Sequence, residues 1–111
     1  MKINLKDIKT EKTHNGTTFR KRLITTEENK GKLATCNYSW LEKGEQLEEH
    51  LHNDGEEFYL ILEGQGEMLI GEEWLFVKKD DFVTVPCNKM HSLKNNQKKD
   101  LTFLTIRTVF D

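Results

Sequence analysis

The stretch Gly44-Glu-Gln-Leu-Glu-Glu-His50-Leu-His52-Asn-Asp-Gly-Glu-Glu57 concentrates side chains that bind metal ions. His50 and His52 are separated by a single residue, and Glu57 follows after a short polar stretch. On a β-strand, side chains at i and i+2 share a face, about 6.6–7 Å apart at the backbone. Two imidazoles placed in this way can converge on a single ion. Asn53-Asp54-Gly55 is turn chemistry and predicts a reversal that returns Glu57 beside the histidines on an antiparallel partner. A further histidine, His91, lies in a later strand-like segment just beyond the sole proline, Pro86. These residues predict a metal site made of His50, His52, Glu57 and His91.

Imidazole nitrogens with one carboxylate form a donor set of intermediate softness. It suits a divalent Fe, Mn, Ni, Co or Zn ion and does not choose among them. An octahedral ion held this way keeps a pair of open cis positions for water, O2 or a bidentate substrate. The histidines must be neutral to bind, so affinity is expected to fall as pH drops below about 6.5.

Around these ligands, strand alternation puts Tyr59 and Ile61 on the face of Glu57, while Met90 and Leu93 flank His91. Cys36, Tyr38 and Trp40 are expected to line another wall. Tyr38 and Tyr59 are the candidate catalytic residues, because a buried phenol can donate to a substrate or act as an acid. Arg20, Arg22 and Arg107 are candidates for gripping a substrate carboxylate, although a solvated outer face is the commoner place for arginine. Glu48 or Glu49 is a candidate partner supporting a histidine from behind. His14, beside Asn15-Gly16, has no partner at ligand spacing and reads as a loop histidine.

The elements that must position these groups are short strands. Thr17 to Thr25 alternates, and Leu33 to Leu41 puts Ala34, Cys36, Tyr38 and Trp40 on one face with Thr35, Asn37 and Ser39 opposite. Leu47 to His52 and Glu57 to Glu63 follow, with Gly64-Gln65-Gly66 expected as a tight hairpin. Glu67 to Ile70 pairs through Gly71-Glu72-Glu73 with Trp74 to Val77. Phe82 to Val85 stops at Pro86, His91 to Asn95 follows, and Leu101 to Phe110 comes last. About nine strands at the ~8–12-residue spacing of a sandwich or barrel predict an all-β fold. An antiparallel barrel or two-sheet jelly roll protects the edges of so many short strands. Residues 1–16 read as an N-terminal arm, an edge or dimer strand, and residues 17–111 as a single barrel domain.

Composition excludes several function classes. Lys plus Arg is 17 and Asp plus Glu is 19, so the net charge of −2 offers no basic field for nucleic acid or an anionic membrane. There is no helix-turn-helix candidate. No apolar run approaches the ~20 residues that span a bilayer. Met1-Lys-Ile-Asn-Leu-Lys-Asp lacks a signal-peptide apolar core, so a cytoplasmic location is expected. Cys36 and Cys87 sit in no CxxC pair and read as free thiols.

The residues resemble the cupin family. Its first motif, G-x5-H-x-H-x3,4-E-x6-G, is matched from Gly44 through His50, His52 and Glu57 to Gly64. Its second, G-x5-P-x-G-x2-H-x3-N, is matched at Pro86, His91 and Asn95, with Asp80 and Asn88 standing where the family has glycine. Asparagine is the residue besides glycine that best tolerates positive φ, and aspartate does so less comfortably. Together the motifs cover about half of the chain. The resemblance implies a jelly-roll β-barrel, also called a double-stranded β-helix, with one metal held by three histidines and a glutamate. It also implies a homodimer in which the N-terminal arm adds to the partner's sheet. The leading expectation is a small-molecule metalloenzyme of isomerase, epimerase, lyase or dioxygenase type. The alternative is a non-catalytic, metal-dependent module that binds or senses a small molecule.

Overall fold

Each strand here has to commit one face to the interior, and the strand partners decide which. The computed structural model describes residues 2–13, 16–25 and 31–110; His14 lies outside them. After a 3-10 turn at Leu5–Asp7 come β1 (Glu11–Thr13), β2 (Thr18–Thr25), β3 (Leu33–Leu41), β4 (Glu57–Glu63) and β5 (Gln65–Ile70). The chain continues with β6 (Glu73–Lys78), β7 (Phe82–Val85), β8 (His91–Lys94) and β9 (Leu101–Thr108). Every pairing is antiparallel. The strands form a six-stranded sheet, β1-β2-β3-β9-β4-β7, and a three-stranded sheet, β6-β5-β8. This is the all-β jelly roll expected, in its two-sheet form rather than as one closed barrel.

The core lies between the sheets. Leu41, Tyr59, Ile61, Val85, Leu101 and Phe103 from the larger sheet meet Leu47, Met68, Val77 and Leu93. Fully burying an aliphatic or aromatic side chain of this size contributes about 1.5–3 kcal/mol. Cys36 and Cys87 are free thiols. The two departures from the family's glycines adopt the backbone that glycine would, with φ of 74° at Asp80 and 65° at Asn88.

Two connections differ from expectation. Gly64-Gln65-Gly66 is a corner between sheets and not a hairpin. β4 is already flanked by β9 and β7, so it has no free edge for β5. For the same reason residues 47–52 do not pair with β4. They run along β8 instead, with Leu47 N donating to Leu93 O at 2.8 Å and isolated bridges Gln46–Lys94 and His50–His91. The N-terminal arm supplies β1, the outermost strand of the larger sheet, paired with β2 of its own chain.

Candidate metal centre

His50 and His91 exchange backbone hydrogen bonds, N to O, at 3.1 and 2.8 Å. A mutually bonded antiparallel pair puts both side chains on one face, and here the ring centroids are 4.1 Å apart. His52 joins them two residues along, with centroids 5.2 Å from His50 and 5.5 Å from His91. Its carbonyl accepts from Asn88 N at 2.8 Å, which ties the histidine pair to the turn after Pro86. Glu57 arrives from the facing sheet. The chain reaches it by lying against β9 at Gly55, where an added Cβ would collide with the Thr108 carbonyl. One ligand atom from each of His50, His52, Glu57 and His91 lies within 4.8 Å of all the others.

The backbone sets the direction of two imidazoles. His50 Nδ1 is 2.7 Å from Glu48 O and His91 Nδ1 is 3.1 Å from Lys89 O. A carbonyl can only accept, so each Nδ1 carries a proton and each Nε2 points into the cluster. His91 Nε2 then faces Glu57 Oε1 at 2.9 Å, and His52 Nε2 lies 3.8 Å from the same oxygen. In neutral imidazole, Nε2 and the carboxylate would be two acceptors facing each other. The arrangement requires a proton or a cation between them.

A divalent ion fits that requirement. Ligands about 2.1 Å from a common ion stand roughly 3–4 Å from one another, and the four donors here, all within 4.8 Å of one another, come near that spacing. The Tyr59 hydroxyl donates to Glu57 Oε1 at 2.9 Å and holds the carboxylate from behind. Burial pushes the Glu57 carboxyl up, but the hydrogen bond and charge of His91, the Tyr59 hydroxyl and His52 outweigh it and leave it below its ordinary value. Burial holds His50 and His52 below the usual 6.5. Tyr59 is pushed well up, first by burial and then by the Glu57 charge, so it stays a protonated donor.

The cluster sits at one end of a cavity of about 300 Å³. Thr18, Asn37, Ser39 and Thr105 form its polar wall, with Arg20 and Arg107 also facing it. Arg107 is the cross-strand neighbour of Glu57, and its Nη1 lies 3.1 Å from Asp54. Arg20 pairs with Glu11 at 3.4 Å.

Of the sequence-predicted residues, His50, His52, Glu57 and His91 come together, and Tyr59 joins them through Glu57. Tyr38 does not. It lies on the outer face of β3, in a separate groove with Leu5, Ile8 and Leu23. Cys36 shares that groove, and Trp40 also points away from the cavity. The reason is alternation: β3 turns its polar face, Thr35, Asn37 and Ser39, inward. Ile61 and Leu93 belong to the core, and Met90 is exposed. Glu48 serves through its backbone carbonyl, and Arg22 pairs with Glu11 outside the cavity. Sequence reasoning misses Thr18, Asn37, Ser39 and Thr105 as site residues. For Asn37 and Ser39 the one signal is the polar face of β3, which residue polarity alone assigns to the outside.

A family model described as Cupin domain matches residues 38–107. An uncharacterised protein of Methanocaldococcus jannaschii is 41% identical over 46 residues, a match covering 41% of this chain and 37% of that protein. A predicted oxalate decarboxylase from Thermotoga maritima superposes with a TM-score of 0.93 at 23% identity, covering 99% of this chain and all of the other. A sugar phosphate isomerase from Silicibacter pomeroyi gives 0.83 at 19% identity, covering 99% of this chain and 76% of that one. At these identities the structural matches speak for the fold.

Proposed function

The chain belongs to the cupin domain family, and we propose that it is a metal-dependent enzyme acting on a small oxygenated molecule. One divalent transition metal, Fe, Mn, Ni, Co or Zn, is held by His50, His52, Glu57 and His91. The observation that carries this reading is the 2.9 Å approach of His91 Nε2 to Glu57 Oε1 inside a cluster of four converging donors. Such an ion supplies Lewis-acid polarisation of a substrate oxygen, or O2 activation if it is redox-active.

The chain's own residues do the rest. The Glu48 and Lys89 carbonyls hold two imidazoles in the binding tautomer. Tyr59 keeps Glu57 oriented as a positioning residue, and the cavity orients the substrate. Two structural neighbours, a predicted oxalate decarboxylase and a sugar phosphate isomerase, support lyase or isomerase chemistry on a small polar substrate. Dioxygenation is the redox counterpart. Expressed and purified without added metal, the protein should carry about one equivalent of one such ion by elemental analysis. Glu57→Gln should carry almost none while keeping its β-sheet circular dichroism. Full metal occupancy in that variant would sink the ligand assignment.

One observation favours a binding or sensing module instead. Among the described residues lining the cavity, every histidine and carboxylate belongs to the cluster itself, leaving no separate general base. Chelator-sensitive conversion of hydroxy acids, keto acids or aldoses, followed by NMR, decides for the enzyme; unchanged compounds in the presence of metal-loaded protein decide for the module. No helix among the described residues is long and apolar enough to cross a membrane, and in this reading the protein works in the cytoplasm. It works as a homodimer, supported by apolar groups left on the outer face of the larger sheet. Phe82 there is 60% exposed and stacks on Phe58 at 6.0 Å. A monomeric mass by light scattering would rule the dimer out.

A further inference from the structure

The larger sheet lines the cavity with polar groups that an ion does not need. Thr18 and Asn37 are 2% and 8% exposed. Among the described residues, Thr18 Oγ1 and Asn37 Oδ1 are buried side-chain atoms without a hydrogen-bond partner. Leaving such atoms unpaired destabilises a fold, so they need a reason to be there. Both residues line the cavity, alongside Ser39 and Thr105, which are 4% and 7% exposed. Asn37 and Thr105 are direct cross-strand partners, and Thr105 pairs in turn with Tyr59. Asn37, Thr105 and Tyr59 therefore make one cross-strand row that ends beside the cluster, and Ser39 lies two residues along β3, across from Arg20.

Two cations face the same space. The Arg107 and Arg20 side chains are each 24% exposed, and their partners Asp54 and Glu11 are 56% and 36% exposed. Ion pairs this open contribute little, so a ligand carboxylate can replace either partner. A guanidinium offers a planar fork matched to a carboxylate. The cavity volume of about 300 Å³ is at the small end for ligand pockets and suits a molecule of sugar size.

We propose that this wall binds a small polyhydroxylated carboxylate, a sugar acid. Its hydroxyls pair with Thr18, Asn37, Ser39 and Thr105, and its carboxylate is held by Arg107 or Arg20. Because Arg107 stands directly across from Glu57, the acid lies beside the cluster. The inference deepens the metal-dependent reading and rests on it for the reacting end of the ligand. None of the six wall residues is a candidate ligand of the ion, so the selectivity of the wall is tested separately.

The experiment is calorimetric titration of full-length protein, metal-loaded and metal-stripped, with D-gluconate, D-glucuronate, D-glucitol and glucose 6-phosphate. Metal content is measured on the same samples. At least one acid should bind about tenfold or more tightly than neutral glucitol, the difference expected of a charge-assisted contact. Thr18→Val, and independently Asn37→Leu, should weaken the acids by about tenfold while raising the melting temperature, because each removes an unpaired buried polar atom. Replacing both Arg107 and Arg20 by Gln should erase the preference for acid over glucitol, and a preference kept in that double variant overturns the proposal. The proposal is overturned if the acids bind no better than glucitol, if the phosphate ester binds best, or if both wall variants keep full affinity. Retained selectivity in protein that takes up no metal would remove the metal reading and leave this one standing.

Discussion

The inward face of this sandwich has two ends built from the same strands. At one end β3 contributes Leu41, β4 Ile61, β8 Leu93 and β9 Leu101 and Phe103, all 0–1% exposed. At the other end the same strands contribute Asn37 and Ser39, Glu57 and Tyr59, His91, and Thr105 with Arg107. Moving two residues along β9, from Phe103 to Thr105, changes the interior from packed hydrocarbon to polar wall. Apolar burial at the first end provides the driving force. The second end accepts desolvated carboxylate, imidazole and unpaired hydroxyl because the first end holds the sheets in place. Local rules broken at one end of a fold are a mark of function when the other end keeps them.

The largest test of this contrast is at the apolar end. Phe103→Ala should lower unfolding free energy by about 3–5 kcal/mol, the usual result of emptying an aromatic core position. Chemical denaturation measures this directly, and a loss below about 1 kcal/mol would mean that the apolar end is not what holds the sheets. At the polar end, Tyr59→Phe should leave the fold intact and weaken metal affinity by about 10–100-fold, as loss of an outer hydrogen bond to a ligand does. Competition with a chelator of known affinity reads this change. Unaltered affinity would reduce Tyr59 to core packing.

The smallest effect is in pH. Burial holds His50 and His52 below the ordinary 6.5, so the unfolded chain takes up protons first as pH falls. The folded metal-free protein therefore loses stability as pH drops from about 6.5 toward the lower folded values. Glu57 has the opposite arrangement to a simple buried acid. Its carboxyl is lowered, so its contribution is present above the ordinary 4.5 and is lost as pH falls through the folded value. Melting temperature of metal-free protein should fall between about pH 7.5 and about pH 5.5, and His50→Gln with His52→Gln should flatten that slope. A slope unchanged in the double variant would place the titration elsewhere in the molecule.

Much of the site is legible in the amino-acid sequence. Residue type and spacing single out His50, His52, Glu57 and His91 as candidate ligands, and the resemblance of the two motifs implies a jelly-roll β-barrel around them. Asp80 and Asn88, standing in for glycine, read as turn residues, and both adopt positive φ. What misleads is polarity. Thr35, Asn37 and Ser39 against Cys36, Tyr38 and Trp40 suggests an apolar interior, yet β3 turns the polar face inward at the site end. Tyr38 lies outside that cavity as a result of this choice of face. The expected pairing of the histidine segment with β4 fails because β9 and β7 already occupy both edges of β4.

By itself the sequence determined most of the strands, their periodicity and the chemical identity of the candidate donor set, because these depend on residues close together along the chain. Only the tertiary structure decided which face of β3 lines the cavity and that His91 pairs with His50. Only it brought Glu57 across from the opposite sheet and gave Arg107 its place beside it. Those are choices of partner between distant strands. Period-two alternation marks which residues share a face, but long-range pairing selects the face that looks inward.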